Sequence, residues 1–239
     1  DGTTSRGLGD VYKRQDSTNT TITNNGTFSA STNYGLRNAT GGNIFNLINN
    51  GSITAGNSYG IRSGGVITSL TNSGTISAAN DNGIRNADGG TIGTLTNSGV
   101  ISVGDSSSLR IEGNIGTLLN SGTISATNAN SIYVKGQLTT LSNTTTGTIS
   151  AGMDNAIKAV NGATIQTIEN SGLISAGRDF AIRNDQNINT TNVISLLNNS
   201  GTISASRHDA IWNDATISTL NNTGSITAAN RYAIKNLGG

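Results

Sequence analysis

Nine times along this chain one short phrase of residues comes back. Its clearest form is Leu118-Leu119-Asn120-Ser121-Gly122-Thr123-Ile124-Ser125-Ala126, with close copies at 70–78 and 95–103. The Asn of the phrase falls at Asn24, Asn49, Asn72, Asn97, Asn120, Asn143, Asn170, Asn199 and Asn222, at intervals of 25, 23, 25, 23, 23, 27, 29 and 23 residues. A period in this range marks a solenoid, in which each repeat is one coil that hides its apolar side only by stacking on its neighbours. Any function then has to be read from columns of side chains that run along the stack.

Residues 70–94 show how one coil closes. Leu70-Thr71-Asn72 ends one strand and Ser73-Gly74 turns the chain. Thr75-Ile76-Ser77-Ala78 alternates polar and apolar, as a half-buried strand does. After Ala79–Asn82, Gly83-Ile84-Arg85-Asn86 reads as a second strand, and after Ala87–Gly90 the run from Thr91 leads into Leu95. The aliphatic columns keep this register: Ile53, Ile76, Ile101 and Ile124; Ile61, Ile84, Leu109 and Ile132; Ile44, Ile67, Ile92 and Ile115; and, three residues after the last set, Leu47, Leu70, Leu95 and Leu118. Aliphatic columns this strict suit strands stacked in parallel. The expected fold is all-β: a right-handed parallel β-helix of about nine coils, 23–29 residues each, with three short strands per coil, standing roughly 43 Å tall.

Composition agrees. Only 33% of residues are hydrophobic and 4% aromatic, too few for one large globular core but enough for a narrow solenoid interior. The chain has no proline, so no strand loses a ladder donor. It has no cysteine, which excludes disulfides, thiolate metal sites and a cysteine nucleophile. No cofactor is expected. The repeat glycines, Gly26, Gly51, Gly74, Gly99, Gly122, Gly147, Gly172, Gly201 and Gly224, are expected to supply a turn or bulge position with positive φ. The Asn column is expected to form a ladder of stacked amides, each donating to the one above.

Residues 1–15 carry no copy of the phrase. Asp10-Val11-Tyr12-Lys13-Arg14-Gln15 is what GATGTGTATAAGAGACAG encodes, a string that resembles the adaptor of transposase-based sequencing libraries. These residues are expected to be a non-native leader that packs poorly, and residues 16–239 a single solenoid domain truncated at both ends. Removing Arg6, Lys13 and Arg14 from 14 basic residues, and Asp1 and Asp10 from 13 acidic ones, leaves 11 of each. The repeat array is formally neutral, which gives no ground for nucleic acid as a partner.

The phrase Asn-Ser-Gly-Thr-Ile-Ser-Ala, followed by Gly-Ile-Arg-Asn and Gly-Gly-Thr-Ile, resembles the passenger repeats of bacterial autotransporter-type surface proteins over residues 20–239. The resemblance implies export to the outer-membrane surface and a C-terminal membrane barrel beyond Gly239. It implies no direct membrane insertion by this stretch, which lacks both a long apolar run and barrel strands. The last coil repeats the interior pattern with Ile226, Ala228 and Ile234, so both ends are expected to be open and more coils to follow.

The sharpest feature outside the core is cationic. The residue after each second-strand aliphatic is Arg37, Arg62, Arg85, Arg110, Tyr133, Lys158, Arg183, Trp212 or Lys235. Alternation turns these side chains outward. A basic stripe at the strand spacing suits an acidic or sulfated glycan or another surface polymer. The blander reading is that Arg and Lys stems cover the strand and pair with acids in the next turn, with Asp88, Asp185 and Asp214 as expected partners. A second column, Thr-x-Ser as in Thr75/Ser77 and Thr123/Ser125, is broken by Val100 and Leu173. It resembles the hydroxyl face of some ice-binding solenoids, and exposed strand residues are its plain explanation.

Catalytic signals are weak. The only histidine, His208, stands beside Asp209 in a turn, where a solvated role is expected. The acids Asp81, Asp105, Asp154, Asp179 and Asp209 are scattered over turns, although polysaccharide-cleaving β-helices need clustered carboxylates. The expectation is a structural and adhesive surface stalk, not an enzyme, binding host or matrix glycans through its lateral faces. The alternatives are a polysaccharide-degrading enzyme on the same fold and an ice-binding solenoid.

Overall fold

The structure is a computed structural model that describes residues 20–187 and 190–237. The expectation for the leader at 1–15 lies outside the described residues. The chain is an all-β parallel β-solenoid of about nine turns, with three strands per coil gathered into three nine-stranded sheets. One coil shows the plan: strands at Val66–Asn72, Thr75–Ala78 and Ile84–Asn86. We name the sheets by what their strands carry: the amide sheet, whose strands end on the repeated Asn; the hydroxyl sheet, built from Thr-Ile-Ser-Ala; and the cation sheet, built from Ile-Arg-Asn.

Pairing is parallel and in register, so like stacks on like. Ile76 lies opposite Ile53 and Ile101, Ile84 opposite Ile61 and Leu109, and Leu95 opposite Leu70 and Leu118. These aliphatics are fully buried from Ile53 to Ile211. Each contributes roughly 1.5–3 kcal/mol by leaving water, and only in a coil that has neighbours. The long strands turn a corner within themselves. Ile92 and Leu95 both face inward with Gly93 and Thr94 between them, and the pairing passes over Gly93 on both sides. A three-residue step between inward positions, where an ideal strand takes two, therefore marks a bend.

The repeated Asn column forms a continuous ladder. Each Nδ2, from Asn24 to Asn199, donates to the Oδ1 of the Asn one coil on, ending at Asn222, at 2.7–2.9 Å. The same nitrogens donate to strand carbonyls of the following coil, as Asn97 does to Thr123 at 3.2 Å. From Asn49 to Asn170 the side chains are at most 1% exposed. The ladder thus supplies inside the wall the hydrogen bonds that a buried amide requires.

The repeat glycines need correcting. None of the nine has positive φ; the left-handed glycines are Gly41, Gly89 and Gly162, in the longer turns. What these positions require is close approach. A Cβ on Gly74 would stand 2.0 Å from the carbonyl oxygen of Gly51, and one on Gly99 would stand 2.1 Å from that of Gly74. The turns stack so tightly that a side chain would point into the coil before.

A second polar column ends the cation-sheet strands and went unread in the sequence. It runs Asn38, Ser63 and Asn86, is replaced by the fully buried Ile111, Val134 and Ala159, and resumes as Asn184, Asn213 and Asn236. Asn184 donates to Asn213 at 2.7 Å and Asn213 to Asn236 at 2.6 Å. The Asn184 Oδ1 is buried without a partner because Ala159 beneath it has no donor. The Asn86 Oδ1 is also unpartnered, since the Ser63 hydroxyl donates to the Gly65 carbonyl instead. Asn213, in a turn of the same length, donates both to the Ala215 carbonyl and to the next rung. Ser63→Asn therefore completes the rung between Asn38 and Asn86. It is expected to stabilise the protein by about 1 kcal/mol, read as a higher melting temperature. A lower melting temperature would show that the site has no room for the amide.

Candidate functional site

The cation sheet holds Arg37, Arg62, Arg85, Arg110, Tyr133, Lys158, Arg183, Trp212 and Lys235 in one continuous column, each paired with the next. Arg37 is exposed and the others are half-buried. Like charges one strand spacing apart repel, and the structure offsets this in two ways.

Carboxylates bridge neighbouring cations. Glu112 takes Arg110 of its own coil at 2.9 Å and Arg85 of the coil before at 2.8 Å. Asp185 repeats the device with Arg183 at 2.6 Å and Lys158 at 3.9 Å. Of the three acids named from the sequence, Asp185 pairs. Among the described residues Asp88 and Asp214 make no ion pair, while Glu112, which the sequence reading missed, makes two.

Aromatic rings supply the second offset. Arg37 lies over Tyr34, Arg85 over Tyr59, Arg110 over Tyr133 and Arg183 over Phe180, at 4.9–5.7 Å from the ring centroids. The Lys235 ammonium sits 4.4 Å over Trp212. Tyr34 and Tyr59 stack at 5.6 Å, and the Tyr59 hydroxyl accepts from Arg85 at 2.6 Å. Each such contact contributes about 0.5–1 kcal/mol where it is exposed. Arg62 has neither a carboxylate nor a ring partner among the described residues. Tyr34, Tyr59 and Phe180 all stand two residues before a second-strand aliphatic, and that shared offset is the sequence signal for the column.

Burial pushes the Glu112 carboxyl up, but the hydrogen bonds and charges of Arg85 and Arg110 outweigh it and hold the carboxyl below the ordinary value of 4.5. For Arg85, burial lowers the value, and bonds to Glu112 and Tyr59 raise it beyond the ordinary arginine range. A depressed carboxyl contributes stability that is complete above its unfolded pKa and is lost as pH falls through the folded one. Glu112→Gln is expected to cost about 1–2 kcal/mol at neutral pH, less than a fully buried pair because both guanidiniums are partly solvated. It should also flatten the loss of stability in acid. Denaturant titrations at neutral pH and well below the ordinary glutamate value check both; parallel wild-type and variant curves with equal midpoints would refute them.

The hydroxyl sheet carries two outward columns. Ser29, Thr54, Ser77, Ser102, Ser125, Ser150, Ser175, Ser204 and Thr227 are unbroken and in register. Val100 and Leu173 interrupt the other.

His208 is half-buried, with its ring edge-on to Phe180 at 5.2 Å. Asp209 is fully buried, and its Oδ1 accepts the Tyr232 N–H at 2.8 Å. Asn155 accepts the Phe180 N–H in the same way two coils earlier. Asp81 and Asp154 accept the N–H of the following residue, as turn formers do. Among the described residues no group of three His, Cys, Asp or Glu side chains is placed to hold a metal ion, and no helix is long and apolar enough to cross a membrane.

No protein-family model, no curated protein and no solved structure matches the chain.

Proposed function

We propose that this solenoid is the passenger stalk of a bacterial autotransporter-type surface protein, displayed outside the cell, and that it adheres to glycans or surface polymers through its lateral faces. The observation that carries the reading is the cation column itself: seven basic side chains, interleaved with aromatic rings, along one side of a rod. Such a stripe meets an extended polymer at many weak points, as an adhesive surface does and a catalytic cleft does not. The stripe is uneven. Arg85, Arg110, Lys158 and Arg183 are tied to carboxylates, whereas Arg37, Arg62 and Lys235 make no ion pair among the described residues. Lys235 sits over Trp212, while Arg37 and Arg62 are direct neighbours, so an extended polyanion meets two unneutralised charges together at that end.

Retention on immobilised heparin tests this. The wild type should be held at low salt. The Arg37→Gln/Arg62→Gln double variant should elute at lower salt with its fold intact by circular dichroism, since neither side chain completes an ion pair. A wild type that flows through, or a variant held as firmly as the wild type, removes the stripe as an adhesive surface.

The unbroken hydroxyl column supports a second reading, ice binding, which a thermal-hysteresis measurement on the same sample decides.

A further inference from the structure

The wall of the solenoid is indented where the cation sheet passes Arg183 and Trp212. The 29-residue coil carries extra residues after Asp185, and a cleft of about 280 Å³ opens beside Gln186 and Asn187. Its walls include Trp212, Arg183, Asp185, Asp214, Asn161 and Asn187. We propose that this cleft is a binding subsite for an uncharged, hydroxyl-rich saccharide. The proposal rests on the adhesive reading above and gives it a second, chemically different contact point.

Three observations carry it. First, the cleft is held open by a buried clamp. Asn192 is fully buried. Its Oδ1 accepts the N–H groups of Gly162 at 2.7 Å and Ala163 at 2.9 Å, and its Nδ2 donates to the Ala159 carbonyl at 2.9 Å and to the Asp185 carbonyl. One side chain thus fixes both walls before any ligand arrives, which lowers the ordering cost of binding. Asn161, in the same wall, is the one non-glycine residue with positive φ among the described residues, at 55°. Strained backbone of this kind persists where the surroundings hold it.

Second, the polar groups suit hydroxyls. A carboxylate accepts two hydroxyl donors, a guanidinium donates to two hydroxyl oxygens, and amides do both. The cleft brings all three together beside the indole of Trp212, whose half-buried ring offers an apolar edge to the C–H groups of a sugar. Third, acid and base are mixed rather than of one sign. The lining holds Arg183 against Asp185 and Asp214, with Lys158 behind Asp185 and Lys235 over Trp212 at its margin, and Asp185 already bridges Arg183 and Lys158. Asp214 makes no ion pair among the described residues, so its oxygens are the acceptors left for a ligand. A polyanion would meet this acid; an uncharged sugar would not be repelled. The size, near the lower end of small-molecule sites at roughly 300 Å³, fits one or two sugar rings.

The chain contains a single tryptophan, so selectively excited tryptophan emission reports on this cleft alone. Titration of the full chain with cello-, chito-, manno-, xylo- and malto-oligosaccharides, with a heparin oligosaccharide as charged comparator, tests the proposal. At least one uncharged sugar should change the emission saturably and with little dependence on salt. Asp214→Asn should weaken that binding about tenfold, the equivalent of roughly 1.4 kcal/mol, without lowering the melting temperature. A panel of uncharged sugars that leaves the emission unchanged overturns the proposal. So does a response to the heparin oligosaccharide alone, or an Asp214→Asn variant that binds as wild type does. The heparin test is made by substitution at Arg37 and Arg62, at the far end of the column from this cleft, so failure of that reading and failure of this one are separately visible.

Discussion

Asn97→Leu is expected to destabilise the solenoid by about 3–5 kcal/mol, because it leaves several buried polar groups unpaired at once. The side chain is fully buried. It accepts from Asn72 at 2.8 Å and donates to Asn120 at 2.8 Å and to the Thr123 carbonyl at 3.2 Å. Leucine fills a similar volume but leaves a donor on one side and two acceptors on the other without partners, each costing about 1–3 kcal/mol in a dry wall. The break also splits the amide chain, so cooperative polarisation along it is lost on both sides. Denaturant unfolding followed by circular dichroism measures the loss. An Asn97→Leu protein with the wild-type midpoint would falsify the view that the ladder stabilises the stack.

Gly74→Ala is expected to cost about 3 kcal/mol or more, beyond the ordinary range for one added methyl. The new Cβ would meet a backbone carbonyl at 2.0 Å, and only separation of two coils relieves the clash. Gly26→Ala is the internal control. It adds the same methyl to the same turn of the first described coil, where a Cβ meets nothing within 4 Å among the described residues. The two variants together distinguish close approach from backbone conformation. Equal losses at both positions would show that the residue's φ and ψ, rather than the stacked carbonyl, demand glycine.

Most of the fold was legible because a solenoid writes its core many times. Ile76, Ile84, Ile92 and Leu95 each stand in a column that Ile or Leu fills in nearly every coil, and in-register parallel pairing follows from like residues at like positions. The glycines were legible as a column but not in their reason. A positive φ and a tight approach both exclude a Cβ, and a sequence records only the exclusion. The ion pairs were half legible. Glu112 and Asp185 stand two residues after Arg110 and Arg183, so strand alternation puts acid and base on one outward face, within reach of the cation one coil back. Asp88 stands three residues after Arg85 and falls to the other side of the turn. Asp214 has the right offset, but Trp212 occupies the position where its own coil would place a cation. The Tyr34, Tyr59 and Phe180 column was obscured because the turns that carry it differ in composition from coil to coil. Asn192 could not be read from the sequence at all, since its role depends on how an insertion with no counterpart in other coils folds back on the wall.

The direction of the amide ladder has a mechanical consequence. Every rung bond, like every bond between neighbouring strands, lies along the stacking axis, so a pull along that axis loads all the bonds of a coil together. A pull on one end of the chain instead loads the outermost coil alone and peels it strand by strand. Each 23-residue coil released in this way becomes up to about 80 Å of slack chain, while the rod shortens by a single strand spacing of about 4.8 Å. The coil beneath keeps its exposed edge and its unpaired amide as a template on which the slack chain restacks when the tension falls. A solenoid built like this is expected to lengthen under tension in discrete steps and to rewind as the tension falls.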